Sequence, residues 1–243
     1  MSEETIVSGM SGNAGIRVLS ASAQRAALTA CADVFAKGNL QGVRFSWATS
    51  GAVTDRIESG EKFDIIAASQ SALQSLAKKG LVSSAIQTVG ISRLALGMRK
   101  GEVPPDISSR EKFCAAMRAA KAISRGDPAG GGTAGMFLAS LLERIGILDD
   151  VKEKSILRVG GYNVMKEVAE GRADFGLTQS TEIVAVDGVE ISAWLPDELQ
   201  MDTVYAVAAS PAHLSAEAQA FLDFVVGPTG RTIYSDAGFA ALS

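Results

Sequence analysis

The sequence predicts an α/β protein of two lobes, and three observations lead there. Short apolar strands alternate strictly with amphipathic helices from Ile16 onward. A central block, roughly Arg93 to Met201, repeats that alternation as a self-contained unit. Three strand-to-helix turns share one chemical style, small hydroxyl residues and glycine. Alternating β and α segments imply a parallel sheet with helices on both faces. A chain of 243 residues has room for two such sheets, each with its own core.

Ile16–Ser20 reads as a buried strand, and Arg25–Phe35 as an amphipathic helix stopped by Lys37 and Gly38. Val43–Trp47 is the second strand, followed by a helix through Glu58. Phe63–Ala68 is the third strand, and Ser71–Lys79 a helix ended by Gly80. Leu94–Arg99 is a strand before the Pro- and Gly-rich break Gly101–Pro105. Ser109 caps a helix to Ala119, and Ala122–Ser124 is the next strand. The glycine-rich stretch Arg125–Gly135 then opens a helical pattern from Met136 to Ile145. Ile156–Val159, Tyr162–Glu170 and Asp174–Thr178 form a further β-α-β unit. Val204–Ala209 is a late strand, and Ala216–Val226 and Pro228–Ala237 are closing helices. The chain thus divides into a first lobe of residues 1–93 plus 203–243 and a second of 94–202, joined by two crossing strands.

A net charge of −4 argues against nucleic acid, and no apolar run is long enough to span a bilayer. Cys31 and Cys114 sit in alanine-rich helical patterns with nothing basic beside them, so they read as small buried residues. His213 is the single histidine and falls in a loop, which leaves little from which to build a metal site or a catalytic triad. The stretch Met1–Gly15 lacks the basic start and apolar core of a secretory signal. The expected compartment is the cytoplasm as the chain stands, or the periplasm if it is already processed.

Five of the eleven residues in Arg125–Gly135 are glycine, so here backbone is on offer. A turn that opens a helix gathers orphan N–H groups at the positive end of the helix dipole, a setting for an anion. The spacing Gly126-x4-Gly131-Gly132-Thr133 is that of a phosphate loop with Gly132 in the lysine's place, which removes nucleotide hydrolysis. The spacing Gly130-x-Gly132-x-x-Gly135 matches a dinucleotide fingerprint, but Asp127-Pro128 separates it from its strand. Asp127 reads as a turn starter.

In open parallel sheets ligands sit beyond the strand C-termini, so the three turns should converge. The candidate contacts are Ser20, Ala21 and Ser22 in the first, Thr49, Ser50 and Gly51 in the second, and Gly132, Thr133 and Ala134 in the third. Arg25 joins them, because a cation in a first helical turn is unfavourable without a nearby anion; a solvated arginine is the alternative. Tyr162 opens the helix after the second-lobe strand Ile156–Val159. Gln179 ends the strand Asp174–Thr178, where a helix cap is the alternative. No catalytic residue, metal ligand or cofactor site is assigned.

These turns, in this order, resemble the type II periplasmic solute-binding proteins, and within them the molybdate-binding group. The resemblance rests on V-L-S-A-S-A (Val18–Ala23), W-A-T-S-G-A and R-I-E-S-G within Trp47–Gly60, F-D-I-I (Phe63–Ile66), G-D-P-A-G-G-G-T-A-G (Gly126–Gly135) and G-R-A-D-F-G-L-T-Q (Gly171–Gln179). It implies two Rossmann-like lobes with a ligand cleft and a two-strand hinge. It also implies a monomer that captures a small anionic ligand and hands it to an ABC permease. Ser50 falls at the group's anion-binding serine and Ala134 at its backbone donor. The group's first serine aligns nearest Ala23, with Ser20 and Ser22 beside it, and Gln179 stands where the group has tyrosine. The sequence is also similar to a branch that includes aconitate isomerase, through Pro104–Ser109, Phe175–Gln179 and Leu195–Gln200. The second expectation is therefore an isomerase of a small tricarboxylate, for which the turns offer no obvious base.

Overall fold

The structure is a computed structural model that describes residues 3–7, 15–38, 42–212 and 214–240. His213, and the chain start before Gly15 apart from Glu3–Val7, lie outside the described residues. The chain folds into two compact units, one of Met1–Ile91 with Thr203–Ser243 and one of Ser92–Asp202.

The first unit runs β1 (Glu3–Val7), β2 (Ile16–Ala21), α1 (Arg25–Ala36), β3 (Val43–Ala48), α2 (Ser50–Glu58), β4 (Ile65–Ser69) and α3 (Gln70–Lys78). β5 (Gln87–Arg99) then carries the chain into the second unit. That unit contains α4 (Arg110–Ala119), β6 (Ile123–Gly126), α5 (Thr133–Arg144), α6 (Leu148–Lys152), β7 (Ser155–Arg158), α7 (Gly161–Ala169), β8 (Phe175–Gln179), α8 (Ser180–Ile183) and β9 (Val189–Trp194). β10 (Asp202–Ala209) returns to the first unit, which closes with α9 (Ala216–Val226) and α10 (Pro228–Asp236).

In the first unit β2 pairs in parallel with both β3 and β4, in the register Ser20↔Trp47 and Ser20↔Ala67. β2 and β4 are buried on both faces, whereas β3 buries Val43, Phe45 and Trp47 and leaves Arg44, Ser46 and Ala48 half-buried. Val18, Phe45, Trp47 and Ile65 pack with Leu28, Phe35, Phe221 and Tyr234 on the face of α1, α9 and α10. Leu19, Ile66 and Ala68 pack with Val53, Ile57, Leu73 and Leu76 on the face of α2 and α3. This period-two division is why β2 and β4 read as near-continuous apolar runs and β3 as an alternation. Phe45 and Trp47 stack at 4.7 Å between centroids. The thiol of Cys31 lies in the first of these cores, where burial pushes its pKa up to about 12.

The second unit repeats the plan. β6 pairs in parallel with β7 and β8. Leu94, Leu96, Ile123 and Leu177 face Phe113, Leu138, Leu141 and Val151 on α4, α5 and α6. Ala95 faces Val164, Met165, Val168 and Ile183 on α7 and α8. Both cysteines are free and buried. Among the described residues, no helix is long and apolar enough to cross a membrane.

The sheets are mixed, not wholly parallel as the alternation predicts. β1 pairs antiparallel with β3, β10 with β4, and β5 with both β8 and β9. Parallel pairing follows from a crossover helix, and the sequence places none between β1 and β2. β8 and β9 flank β5 and both run against it, so they share one direction although only the four-residue α8 is helical between them. The strands β1 and β9 and the short helices α6 and α8 are absent from the sequence reading. β9 (V-E-I-S-A-W) shows a weak apolar alternation, with two of its side chains exposed.

Candidate functional site

Within the first unit the parallel register sets the ends of β2 and β3 level, with Ala21 opposite Ala48. The turns that follow are tied together, because Ser22 Oγ donates to the Ala48 carbonyl at 3.1 Å. Ser20, fully buried, donates its hydroxyl to the Ala21 carbonyl at 3.0 Å. Ala21 is extended, and Ser22–Gln24 forms a 3-10 turn before α1. Gln24, which the sequence reading passes over, anchors this turn from inside. Its Oε1 accepts from Tyr234 Oη at 2.7 Å, and its Nε2 donates to the Ala206 carbonyl at 3.4 Å. Burial raises the Tyr234 pKa well above the usual phenol value, so Tyr234 acts here as a neutral donor.

The second turn divides its tasks. Thr49 is the N-cap of α2, its Oγ1 accepting from the Ala52 N–H at 3.3 Å. The Ser50 carbonyl accepts from Thr54 Oγ1, whereas the Ser50 hydroxyl has no hydrogen-bond partner among the described residues. The N–H groups of Ser50 and Gly51 fall in the first turn, where no intrahelical acceptor reaches. Arg25, the first residue of α1, is half-buried with its guanidinium 5.1 Å from the Trp47 ring centre. That stacking gives the cation a favourable neighbour in the first turn, so its position alone does not require an anion.

In the second unit, β6, β7 and β8 end at one edge, with Gly126 opposite Arg158 and Arg125 opposite Leu177. The glycine turn, the start of α7 and the β8 end therefore share that edge. Gly132 is the N-cap of α5 and provides no side-chain cap, so the first-turn N–H groups of Thr133 and Ala134 have no local acceptor. Most other glycines of Arg125–Gly135 serve the fold. A Cβ on Gly126 would lie 2.7 Å from Gly135 Cα, and one on Gly130 would lie 2.9 Å from the Val159 side chain. Gly131 is left-handed at φ 68°. Asp127 starts a turn, its Oδ1 accepting from the Ala129 N–H at 2.9 Å. Arg125 is buried and donates through Nε to Ser155 Oγ at 2.9 Å, and burial lowers its pKa.

Tyr162 is half-buried in the first turn of α7, with Lys166 Nζ 5.7 Å from its ring centre. Gln179 is buried at the end of β8 and is the N-cap of α8 without a side-chain cap bond. Beside both lies Glu182, a residue absent from the sequence reading. Its Oε1 accepts the Gly161 N–H at 2.9 Å and its Oε2 accepts the Thr178 hydroxyl at 2.8 Å. The available signal is indirect: α7 opens on Gly160-Gly161, which supplies no side-chain cap, so an acceptor has to come from elsewhere. Among the described residues, no cluster of His, Cys, Asp and Glu could hold a metal ion. A pocket of about 290 Å³ also lies on the first unit, lined among others by Arg17, Lys62, Asp64 and Leu81. It borders the N-terminal ends of β2 and β4, away from the turns, and its Arg17 and Asp64 bond each other at 2.8 Å.

The family model of the bacterial extracellular solute-binding proteins matches residues 16–240. The chain belongs to that family. This solute-binding protein is 26% identical over 228 residues to the molybdate-binding protein of Escherichia coli, which covers 92% of the chain and 88% of the relative. It is 28% identical over 193 residues to an aconitate isomerase of a Pseudomonas species, covering 78% of the chain and 72% of the relative. The fold matches that of the Azotobacter vinelandii periplasmic molybdate-binding protein with a TM-score of 0.78, at 20% identity, over 94% of this chain and all of the other. The two-lobe type II binding-protein fold implied by the sequence is therefore the fold of this protein.

Proposed function

We propose that this solute-binding protein takes up one small anion, an oxyanion such as molybdate or sulfate or a small organic carboxylate, as the binding component of an ABC-type importer. The contacts are Ser20–Ser22 and Thr49–Gly51 in the first unit and Gly132–Ala134 in the second, through backbone N–H groups and the Ser50 hydroxyl, because Ser20 and Ser22 already donate theirs to the Ala21 and Ala48 carbonyls; Arg25, Tyr162 and Gln179 complete the set. The observation that supports this best is the uncapped start of α5, a twelve-residue helix whose Thr133 and Ala134 N–H groups lack an acceptor of their own. The Ser50 hydroxyl is uncommitted in the same way. A site that only binds needs several modest donors and no activated group, and these turns supply such donors. Relatives named for molybdate binding agree with this class of ligand. A thermal-shift panel of molybdate, tungstate, sulfate, phosphate and carboxylates tests it. A ligand at a hundredfold excess over its Kd should add about 2.7 kcal/mol, and no shift with any anion would remove the proposal.

The aconitate isomerase relative favours a second reading, isomerisation of a small tricarboxylate. That reaction needs a base next to the substrate carbon. Two carboxylates at these turns in the second unit are already engaged: Asp127 accepts the Ala129 N–H, and Glu182 accepts two hydrogen bonds. Ultraviolet absorbance with cis- and trans-aconitate separates the readings: turnover at catalytic protein concentration establishes the isomerase, and its absence leaves the binder.

A further inference from the structure

Two helices of the second unit start at the edge where β6, β7 and β8 end, and their first turns are in opposite states. The first turn of α5 has no side-chain cap. That of α7 is filled from within the protein, by the Glu182 carboxylate on the Gly161 N–H. The fit is tight: a Cβ on Gly161 would lie 2.0 Å from Glu182 Oε2 and 2.0 Å from Thr178 Oγ1. Glu182 is 7% exposed and Thr178 2%. The two groups it holds are the chain neighbours of two candidate ligand residues, Gly161 before Tyr162 and Thr178 before Gln179. Glu182 is itself fixed at its root. Ser180 and Thr181 of the same short helix lie 3.1 Å and 3.2 Å from Ser92 Oγ on β5, hydroxyl to hydroxyl.

We infer that Glu182 is a positioning residue for the second unit's ligand turns: one carboxylate fixes both the Gly160–Tyr162 turn and the Thr178–Gln179 strand end. It also assigns the anion's place among these helix starts. A carboxylate already occupies the positive end of α7, so a second anion there would meet like charge, and the ligand goes to the open first turn of α5. The inference rests on the anion-binding reading for its consequence in affinity, but not for the contacts themselves.

Glu182→Gln retains a carbonyl oxygen for the Gly161 N–H and an amide group that the Thr178 hydroxyl can accept from, so it keeps both contacts. Glu182→Ala removes both, and Thr178→Val removes one while keeping the β-branched shape. Two measurements are made on the full chain: titration calorimetry with molybdate, sulfate and cis-aconitate, and amide hydrogen exchange across residues 160–164 and 178–182. Glu182→Ala is expected to weaken whichever probe the unmodified protein binds by about tenfold or more, and to speed exchange at Gly161. Glu182→Gln is expected to stay within about threefold on affinity, with unchanged exchange, and Thr178→Val to fall between the two. Unchanged affinity in Glu182→Ala overturns the positioning role, as does a Glu182→Gln loss equal to that of Glu182→Ala. If Glu182→Ala does not fold, the order Thr178→Val below Glu182→Gln in affinity decides. If the unmodified protein binds none of the three probes, the anion-binding reading fails, and exchange alone decides the role of Glu182. Unchanged exchange at Gly161 in Glu182→Ala then refutes it.

Discussion

Gly126 and Gly135 press backbone against backbone: a Cβ on Gly135 would stand 3.0 Å from the Gly126 carbonyl carbon. The end of β6 and the start of α5 meet there without room for a side chain. Gly135→Ala must push the two segments apart. It should cost about 1–3 kcal/mol by chemical denaturation and also displace the α5 first turn, weakening anion binding. A Gly135→Ala protein with unchanged stability would show that the contact is loose.

The two hydroxyls of the second turn should separate by function. Thr49→Ala removes the N-cap of α2 and should cost about 1 kcal/mol of stability. Ser50→Ala touches no hydrogen bond within the described residues made by that hydroxyl. It should leave the melting midpoint in place while weakening the anion about tenfold, the value of a hydrogen bond to a charged group. Equal effects of the two changes in denaturation and titration would refute this division.

Gln24 depends on Tyr234. Tyr234→Phe leaves a buried amide oxygen without its 2.7 Å donor, at a cost of about 1–3 kcal/mol in denaturant unfolding. Because Gln24 closes the turn that contains Ser22, the same change should also lower anion affinity. Loss of stability with full affinity would confine Gln24 to the core.

Much of this is legible in sequence, and the gaps have physical causes. β2 to β4 and their helices follow from period and caps, since β2 and β4 are apolar runs buried on both faces and β3 alternates buried with half-buried residues. In sequence the glycine turn reads as backbone offered to a ligand. Packing of Gly126, Gly130 and Gly135 and the left-handed Gly131 account for most of that glycine, and Gly132 remains as the uncapped helix start. Glu182 and Gln24 escape because Gly161 and Tyr234, the partners that tie them to another turn or helix, are 21 and 210 residues away in sequence, a separation no local pattern encodes. The mixed sheet escapes because strand direction outside β-α-β units is set by tertiary pairing.

Stability should carry a specific pH signature from Glu167. It accepts from Arg172 at 2.5 Å and Arg158 at 2.8 Å, and these bonds, led by Arg172, hold its pKa at about 2. A carboxylate depressed in the folded state stabilises above its ordinary pKa, and that stabilisation drains as pH falls from there toward about 2. Glu167→Gln should therefore be less stable at neutral pH by about 1–2 kcal/mol, a gap that closes in strong acid. A gap that is constant across pH 7 to 2.5 in denaturant titrations, roughly spanning the depressed range, would assign the loss to packing instead.

The most direct measurement follows backbone amide shifts by nuclear magnetic resonance as molybdate, and separately cis-aconitate, is added to the isotope-labelled protein. The largest shifts are expected at Ser50, Gly51, Thr133 and Ala134, saturating together with one anion. Largest shifts at Arg17, Lys62 and Asp64, or none with any anion, would contradict the assignment of the turns as the binding site.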